Sequence, residues 1–561
     1  MESQTRFKLI LWAFILVFLV IISRLFYWQI IRGDELAALA QKQYNFVYKV
    51  TSKRGGIYFA DKSPLVINQP GFLLYTNPKE IEDKKMFAKL LSPVIAQDEA
   101  SIAAKLHDEL YWIPIKHKID EETRKEIEAL HLKGVGFEEE PLRFYPESSM
   151  AAHLTGFVGS DVNGEGKGYF GLEGFYDREI RGRGGTVQSF VDALGRPILL
   201  GEQSNAPIVN GRDLVLNIDR TIQFMAEKSL KEGVEKYGAK GGSVIIMDPK
   251  TGGILAMASQ PSYNQATYGD FDQANYKNPS IAGTYEPGST FKTLVMAAAL
   301  SEGVVDPYTK CDICDGPVSL GGFTIRTWNN KYYKDSTMLD VIEHSDNTGM
   351  VFVGRKLGFE KLYSYLQAFG IGEPTGIDLE DEESPFLRTK KDWHEIDMAT
   401  ATFGQGVAVT PIQMVRAVGA IANGGKLYKP YVVSSIIKEN GEEVKIEPEF
   451  LRQVISEKAA KVMTEMMVNA VDNGEAKFAK PKGYRIAGKT GTAQIPIAGH
   501  YDPNKTIASF VGFAPANDPK FVMLVRVDEP TSSIFGAETA APLFFTIARE
   551  LFNYYNIPPS N

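Results

Sequence analysis

Residues 285–300 read Tyr-Glu-Pro-Gly-Ser-Thr-Phe-Lys-Thr-Leu-Val-Met-Ala-Ala-Ala-Leu, and this stretch decides how the second half of the chain is interpreted. The apolar run after Lys292 predicts a buried helix with Ser289 in its first turn. Ser289 and Lys292 are three residues apart, so they share one face of that helix. A serine hydroxyl needs an adjacent base to act as a nucleophile, and an uncharged lysine can serve. The apolar neighbours of Lys292 predict a lowered pKa, because burial disfavours the ammonium form.

A second polar motif, Ser345-Asp346-Asn347, follows the segment Val341–His344. These residue types favour turns, so the pattern predicts the end of a helix or a loop. In a serine-based site, the Ser345 hydroxyl could relay a proton to a leaving amine. The Asn347 amide could hold an amide group of the substrate.

A third motif, Lys489-Thr490-Gly491-Thr492, lies on a stretch that reads as an edge strand. Lys489, Thr490 and Thr492 are suited to receive a carboxylate through charge-assisted hydrogen bonds. Gly491 would let a ligand approach the backbone closely. A second cation at Lys489 would also lower the pKa of Lys292.

The three motifs together match the S-x-x-K, S-D-N and K-T-G set of serine acyl-transfer enzymes. Each motif alone is weak evidence, because similar patterns occur elsewhere in the chain. S-x-x-K also occurs at Ser435–Lys438, K-T-G at Lys250–Gly252 and S-x-N at Ser262–Asn264. The stretch Gly483–Thr490 also fits a phosphate-binding P-loop. That interpretation requires a helix to follow, and the glycines and the proline after Thr490 disfavour one.

The composition is that of a folded globular chain: 561 residues, 44% hydrophobic, 23% charged and a net charge of −8. A mildly acidic chain lacks the basic footprint of a nucleic-acid binder, so we expect no nucleic-acid partner. Only 2 Cys and 7 His are present, and no H-E-x-x-H pattern occurs. We therefore expect no metal site and no cofactor.

Residues 9–31 form an apolar segment of about 35 Å as a helix, which is enough to cross a ~30 Å hydrocarbon core. A cleaved signal peptide is the alternative. The residues after the apolar core, Ile-Ile-Ser-Arg-Leu-Phe, offer no small-x-small cleavage site, so an uncleaved anchor is favoured. A short N-terminus is most easily left in the cytoplasm, which would place about 530 residues outside.

Local patterns divide the rest of the chain. A polar helix at 33–43 precedes a strand at 44–50, and a charged helical region covers roughly 79–132. A strand at 213–218 precedes Asp219, which is predicted to cap a helix over 220–237. Strands at 243–247 and 253–257 flank a hairpin turn. The predicted regions are 1–32 for the stub and anchor, 33–220 for a first domain and 221–557 for the second.

On these motifs the chain resembles a class B penicillin-binding protein, a membrane-anchored peptidoglycan D,D-transpeptidase of the division or sporulation group. The block 285–292 is the most specific match. Further matches are Arg54–Ile57, Arg143–Pro146, His153–Gly156, Gly171–Gly174, Phe403–Gly406, Thr410-Pro411 and Ala422–Gly425.

The resemblance implies a mechanism. Ser289 attacks the D-Ala-D-Ala carbonyl of a donor stem peptide, with Lys292 as base and Ser345 as proton relay. Lys489, Thr490 and Thr492 hold the terminal carboxylate, while the N–H groups of Ser289 and Thr492 form the oxyanion hole. An acceptor amine from a second strand then resolves the acyl-enzyme, and β-lactams acylate Ser289 and remain.

The resemblance also implies an architecture in the α/β class: a single transmembrane helix, an elongated α+β pedestal (33–220) and a transpeptidase domain with an antiparallel sheet flanked by helices. It implies a cell-membrane location with the catalytic domain outside the cytoplasm. Because no glycan-polymerising domain is present, it implies a polymerase partner of the SEDS family, engaged through the transmembrane helix and the pedestal.

Two alternatives for the function and two for the cysteines stay open at this point. A β-lactamase or β-lactam sensor shares the three motifs, although no Glu-x-x-Asn occurs between Asn347 and Lys489. A non-catalytic scaffold of a wall-synthesis complex is the other functional alternative. Cys311 and Cys314 could form a disulfide or remain free thiols, since spacing alone does not decide.

Overall fold

The computed structural model describes residues 2–50, 52–107, 110–162, 165–191, 197–497 and 500–559. The chain divides into two compact units. The first combines residues 1–53 with 182–210, and the second combines residues 54–181 with 211–561.

The described residues form helices whose bounds are as follows: α1 Glu2–Phe26, α2 Gly33–Tyr44, α3 Lys84–Ile95, α4 Glu99–Lys105, α5 Glu121–Ala129, α6 Ala152–Thr155, α7 Gly171–Phe175, α8 Asp177–Ile180, α9 Arg220–Tyr237, α10 Pro279–Ala282, α11 Lys292–Ser301, α12 Met338–Glu343, α13 Asn347–Leu357, α14 Phe359–Ala368, α15 Glu395–Ala401, α16 Pro411–Ala422, α17 Glu457–Asn473 and α18 Ala540–Tyr554. A π-helical turn, Tyr27–Ile31, continues α1. Short 3-10 turns lie at Pro78–Glu80, Gln265–Asp270, Gln273–Asn275, Gly288–Phe291, Lys390–Asp392 and Lys477–Ala479.

The strands are β1 Asn45–Val50, β2 Ile57–Tyr58, β3 Pro64–Gln69, β4 Phe72–Thr76, β5 Ile113–Ile119, β6 Val135–Glu139, β7 Leu142–Phe144, β8 Phe157–Ser160, β9 Gly166–Tyr169, β10 Gly185–Val191, β11 Pro197–Ala206, β12 Asp213–Leu216, β13 Gly241–Met247, β14 Ile254–Gln260, β15 Val318–Leu320, β16 Phe323–Ile325, β17 Lys426–Tyr428, β18 Val433–Ile437, β19 Glu443–Lys445, β20 Phe450–Gln453, β21 Ala487–Ile497, β22 His500–Ala514 and β23 Phe521–Asp528.

The first unit contains the apolar helix and a small sheet. Helix α1 with its π-helical turn is long and apolar enough to cross a membrane, and its apolar side chains are exposed. The helix predicted at 33–43 is α2, and the strand predicted at 44–50 is β1. β1 pairs with β10, and β10 with β11, all antiparallel.

The centre of the second unit is a five-stranded antiparallel sheet in the order β14-β13-β23-β22-β21. Helices α9 and α18 cover one face around a core that includes Phe510, Phe544 and Phe545. A larger core on the other face includes α11 and α16. The antiparallel sheet flanked by helices is therefore as the resemblance predicted, and β21 is its edge strand.

The predicted helix 220–237 is α9, residue for residue. The Asp219 carboxylate accepts hydrogen bonds from the N–H groups of Thr221 and Ile222, and the helix ends at a left-handed Gly238. The predicted hairpin strands are β13 and β14. β12 occupies the place of the strand predicted at 213–218, and it pairs with β18 and β2 in a six-stranded sheet. The boundary at 220 stays a prediction.

The prediction of a charged helical region over 79–132 is wrong in its middle. Helices α3, α4 and α5 lie in this region, but β5 interrupts them. β5 forms because Ile113, Ile115 and Ile119 are buried in a local core beside α3, and its backbone pairs with β4. The intervening Lys and His residues hide this pattern from a charge-based interpretation.

Three of the motifs that carried the resemblance meet in one buried ion network, here called the Glu173 network (Arg54, Arg143, Glu173 and Asp177). Glu173 is fully buried, and its carboxylate pairs with the guanidinium of Arg54 at 2.5 Å and with that of Arg143 at 2.7 Å. Arg54 also pairs with Asp177 at 2.8 Å. Burial lowers the pKa of Arg54, but Glu173 and Asp177 more than offset it, so that the net pKa is raised.

Candidate active site

The nucleophile candidate lies on a tight turn that leads into a buried helix. Residues Gly288–Phe291 form a 3-10 turn, and α11 begins at Lys292, so Ser289 precedes the α-helix instead of lying in its first turn. Gly288 has φ +55°, and its N–H donates to the carbonyl of Gly404. Ser289 is half-buried while Thr290, Phe291 and Lys292 are buried. The turn therefore presents Ser289 at the surface of an otherwise closed core.

Lys292 joins the first motif to the second. Its Nζ donates to the Ser345 carbonyl at 2.5 Å, to Asn347 Oδ1 at 2.8 Å and to Ser345 Oγ at 3.2 Å. Burial pushes the pKa of Lys292 well below its ordinary value, and the charge of Lys489 pushes it the same way. Both causes were predicted from the sequence. A depressed pKa is what a lysine needs in order to act as a base.

The Ser345-Asp346-Asn347 motif covers the end of the turn between α12 and α13 and the first residue of α13, where its residue types predicted a helix end or a loop. Asp346 caps α13 by accepting from the N–H groups of Thr348 and Gly349. Ser345 has φ +57°, a left-handed conformation that is unfavourable for serine. The hydrogen bond from Lys292 to its carbonyl helps to hold it there.

The Lys489-Thr490-Gly491-Thr492 motif lies on β21, as predicted. Since a strand and not a helix follows Gly483–Thr490, the structure excludes the P-loop interpretation. Lys489 is buried, and its Nζ donates to Thr490 Oγ1 at 3.1 Å. Burial lowers the pKa of Lys489, against the influence of Glu475.

Gly491 and Thr492 pack against neighbouring chain segments. A Cβ on Gly491 would lie 2.8 Å from Thr290 Cγ2 and 3.1 Å from the Pro287 carbonyl oxygen. The absence of a side chain at Gly491 therefore allows the turn that carries Ser289 to approach the backbone of β21 closely. Thr492 Oγ1 accepts a hydrogen bond from the Gly536 N–H at 2.9 Å, which leaves its own proton free to donate.

Sequence reasoning missed Glu475. Thr490 Oγ1 donates to Glu475 Oε2 at 3.2 Å, so Lys489, Thr490 and Glu475 form a hydrogen-bonded chain. The other oxygen of Glu475, Oε1, is buried and has no hydrogen-bond partner among the described residues. Glu475 follows α17 and belongs to none of the three motifs, so no local signal could have identified it.

Cys311 and Cys314 form a disulfide, which settles that open alternative against free thiols. The Cys311 N–H donates to the carbonyl of Ser336, and the Cys314 carbonyl accepts from the N–H of Tyr333. The Tyr333 ring stacks on His344, next to Ser345. The disulfide thus helps to anchor the segment that borders the second motif.

Two family matches together cover most of the chain. Residues 242–550 match the penicillin-binding protein transpeptidase domain, and residues 49–216 match the penicillin-binding protein dimerisation domain. Stage V sporulation protein D of Bacillus subtilis is 36% identical over 563 residues, which cover 99% of this chain and 86% of that protein. Peptidoglycan D,D-transpeptidase FtsI of Buchnera aphidicola is 31% identical over 571 residues, with 99% and 96% covered.

Solved structures share the architecture. A peptidoglycan synthetase from Bifidobacterium adolescentis superposes with a TM-score of 0.74 at 27% identity, covering 92% of this chain and 98% of that one. Penicillin Binding Protein 2X from Streptococcus thermophilus superposes with a TM-score of 0.75 at 23% identity, covering 91% and 80%. The second likeness shows the fold alone.

Proposed function

The chain belongs to the penicillin-binding proteins, in their class B division and sporulation group, and on that premise we propose that it cross-links peptidoglycan stem peptides through an acyl-enzyme on Ser289. One observation carries the proposal. The buried Lys292 Nζ contacts both Ser345 and Asn347 and has a strongly lowered pKa. Acyl transfer requires a base near the serine, and Lys292 follows the half-buried Ser289 by three residues, at the start of α11.

In the proposed first step, uncharged Lys292 takes the proton of the Ser289 hydroxyl. Ser289 Oγ then bonds to the carbonyl carbon of the penultimate D-Ala. As the C–N bond breaks, the proton passes through the Ser345 hydroxyl to the leaving amine of the terminal D-Ala. Asn347 holds a donor amide, although its Oδ1 already accepts from Lys292 and its Nδ2 donates to the Arg326 carbonyl.

We assign the terminal carboxylate of the donor to Lys489, Thr490 and Thr492. Lys489 supplies charge from a buried position, and the Thr492 hydroxyl keeps a free proton. The N–H groups of Ser289 and Thr492 are assigned to the oxyanion. Gly491 keeps β21 close to the Ser289 turn, so that both N–H groups can face one carbonyl oxygen.

In the second step, an acceptor amine attacks the ester carbon and forms the cross-linking amide. The bond between that carbon and Ser289 Oγ breaks, and the proton lost by the amine passes through Ser345 and Lys292 to Ser289 Oγ. A β-lactam enters the same way, but its amine leaving group stays tethered to the acyl group.

The anchor and the partners complete the proposal. The apolar helix at residues 3–31 would hold the chain in the cell membrane, with residues 33–220 as pedestal and 221–557 as transpeptidase domain outside the cytoplasm. A SEDS-family polymerase would supply the glycan strands and contact the transmembrane helix and the pedestal.

The test uses the purified full chain in detergent and a fluorescent penicillin. Wild-type protein should form a stable adduct on the peptide containing Ser289, and Ser289→Ala should abolish it. Ser435→Ala is the matched control, because Ser435–Lys438 has the same S-x-x-K pattern but lies largely on β18. It should be labelled like the wild type.

Other results would assign another function. Rapid hydrolysis of the penicillin without a persistent adduct would indicate a β-lactamase. No labelling of wild-type protein would contradict the active-enzyme proposal and favour a scaffold.

A further inference from the structure

Glu286 is a half-buried carboxylate three residues before Ser289. Its Oε1 accepts from the Gly406 N–H at 3.1 Å, and the Tyr501 hydroxyl donates to its Oε2 at 3.1 Å. Among the side chains that the structure describes, no lysine, arginine or histidine forms an ion pair with it. Burial raises the pKa of Glu286, and its two hydrogen bonds only partly oppose that shift. The carboxylate is thus partly desolvated without a cation of its own.

Two other carboxylates whose pKa is raised by burial have a different role. Asp378 accepts from the N–H groups of Val432 and Val433 and from Tyr176, and Glu227 accepts from Ala151 and Gln223. Most of these partners lie inside the fold, so both carboxylates satisfy donors that would otherwise be orphaned.

The partners of Glu286, by contrast, are open to solvent. Gly406 is exposed, and Tyr501 is 43% exposed. A solute can therefore reach the carboxylate from outside.

The position of Glu286 relative to the reacting serine follows from β21. A Cβ on Gly288 would lie 3.2 Å from the Thr492 carbonyl oxygen, so the turn that carries Glu286 packs beside Thr492. Tyr501 is paired in register with Pro496, four residues beyond Thr492. Four residues of strand span about 13 Å. Glu286 therefore lies toward the end of β21 that is remote from Lys489.

A donor peptide that lies along the open edge of β21 has a defined direction. Edge strands bind extended peptides by adding them as a further strand. If the terminal carboxylate is at Lys489 and the scissile carbonyl is at Ser289, the upstream residues run toward Pro496. A long side chain on such a residue would reach the carboxylate of Glu286.

We propose that Glu286, positioned by Tyr501 and the Gly406 N–H, binds an ammonium group carried by the stem peptide upstream of the scissile bond. The inference rests on the proposed transpeptidase function and adds a specificity determinant to it. A fixed, partly desolvated carboxylate gains a charge-assisted hydrogen bond when the ammonium binds. Hydrogen bonds to charged groups of this kind correspond to a preference of about 10- to 100-fold.

The test compares two N-blocked pentapeptides that end in D-Ala-D-Ala and differ in one group. One carries lysine at the third position, and the other carries Nε-acetyl-lysine. The full chain in detergent is acylated by a fluorescent penicillin that lacks an amino group, and each peptide is titrated as a competitor. The measured quantity is the ratio of the two inhibition constants, with each variant normalised to its own rate of penicillin acylation.

We expect wild-type protein to prefer the lysine peptide by about 10- to 100-fold and Glu286→Gln to reduce that ratio to within about twofold of unity. Glu286→Asp keeps the charge and should retain part of the preference. Tyr501→Phe removes one hydrogen bond but leaves the charge, so its ratio should stay within about threefold of the wild-type value. The midpoint of thermal unfolding of Glu286→Gln should not fall, because the ionised carboxylate is disfavoured by burial in the folded state.

Two results would overturn the proposal: no preference in wild-type protein, or an unchanged preference in Glu286→Gln. A failure of the transpeptidase assignment looks different, because wild-type protein would then not be acylated by the penicillin at all.

Discussion

The second unit contains two clusters of buried charge that are built on opposite principles. In the Glu173 network, every cation is in direct contact with a carboxylate, at distances of 2.5 to 2.8 Å. In what we call the lysine cluster (Lys292, Lys489 and Glu475), the hydrogen-bond partners of both lysines are neutral carbonyl, hydroxyl and amide oxygens. The Glu475 carboxylate reaches Lys489 only through the Thr490 hydroxyl.

The presence or absence of a directly paired carboxylate decides the direction of the pKa shift in each cluster. Direct pairing raises the pKa of Arg54 despite its burial, so its charge stays fixed at any physiological pH. Without direct pairing, burial dominates and the pKa values of Lys292 and Lys489 fall. A buried group whose pKa is strongly shifted by burial is a candidate for a functional role, whereas a directly paired group that stays charged is suited to holding the fold.

The largest expected effect comes from removing the titratable amine of Lys292. Lys292→Met replaces the amine with an unbranched apolar side chain one atom shorter, and we expect it to lower the second-order rate of penicillin acylation by at least about 10³-fold. Lys361→Met is the matched control, since Lys361 is an exposed lysine paired with Glu302. In wild-type protein the acylation rate should rise with pH through the lowered pKa of Lys292, because only the neutral amine accepts the proton, and should fall again where Lys489 loses its own proton. A Lys292→Met rate close to that of wild type would show that another group is the base.

A substitution in the Glu173 network should lower the free energy of unfolding and leave the rate of penicillin acylation unchanged. Glu173→Gln leaves Arg54 with only Asp177 and leaves Arg143 with no carboxylate among the described residues, which should lower the free energy of unfolding by about 3 kcal/mol. Glu179→Gln removes a carboxylate from an exposed pair with Arg212 and should cost less than about 1 kcal/mol. Denaturant midpoints measure both, and penicillin acylation per folded molecule should stay constant. If Glu173→Gln were as stable as Glu179→Gln, direct pairing would not hold this part of the fold.

Elements with strong local signals were predictable from the sequence. Helix α9 has an aspartate cap, an apolar periodicity and a terminal glycine, and its predicted bounds are those observed. Strand β5 was not predictable in the same way, because its charged residues suggest a helix and its pairing partner β4 is 37 residues away. Local capping chemistry is present in the sequence itself, whereas strand pairing is decided by distant residues.

In the candidate site, too, some residues were predictable from local sequence motifs and others were not. Ser289, Lys292, Ser345, Asn347 and the residues of β21 stand in short motifs, and the fold brings these motifs together, although the residue roles remain proposals. Glu475 and Glu286 carry no such signature. Their significance arises only from three-dimensional placement, one beside Thr490 and the other between Gly406 and Tyr501.

The smallest and most diagnostic effect concerns Glu475. Glu475→Gln can still accept the hydrogen bond from Thr490, so it removes charge with little change of shape. Glu475 raises the pKa of Lys489, so its loss should lower that pKa further. Lys489 would then lose its proton at a lower pH than in wild-type protein.

We therefore expect the alkaline limb of the acylation profile for a carboxylate-bearing penicillin to move to lower pH. A displacement of one pH unit corresponds to about 1.4 kcal/mol, or a tenfold loss of rate on that limb. On the acid side of the limb, where Lys489 is charged in both proteins, the rate of Glu475→Gln should not fall below that of wild type, because Glu475 also raises the pKa of Lys292. An equal loss of acylation rate at every pH would mean that Glu475 acts by positioning Thr490. The charge of Glu475 would then not control the protonation of Lys489, and the comparison with the Glu173 network would not apply to this lysine.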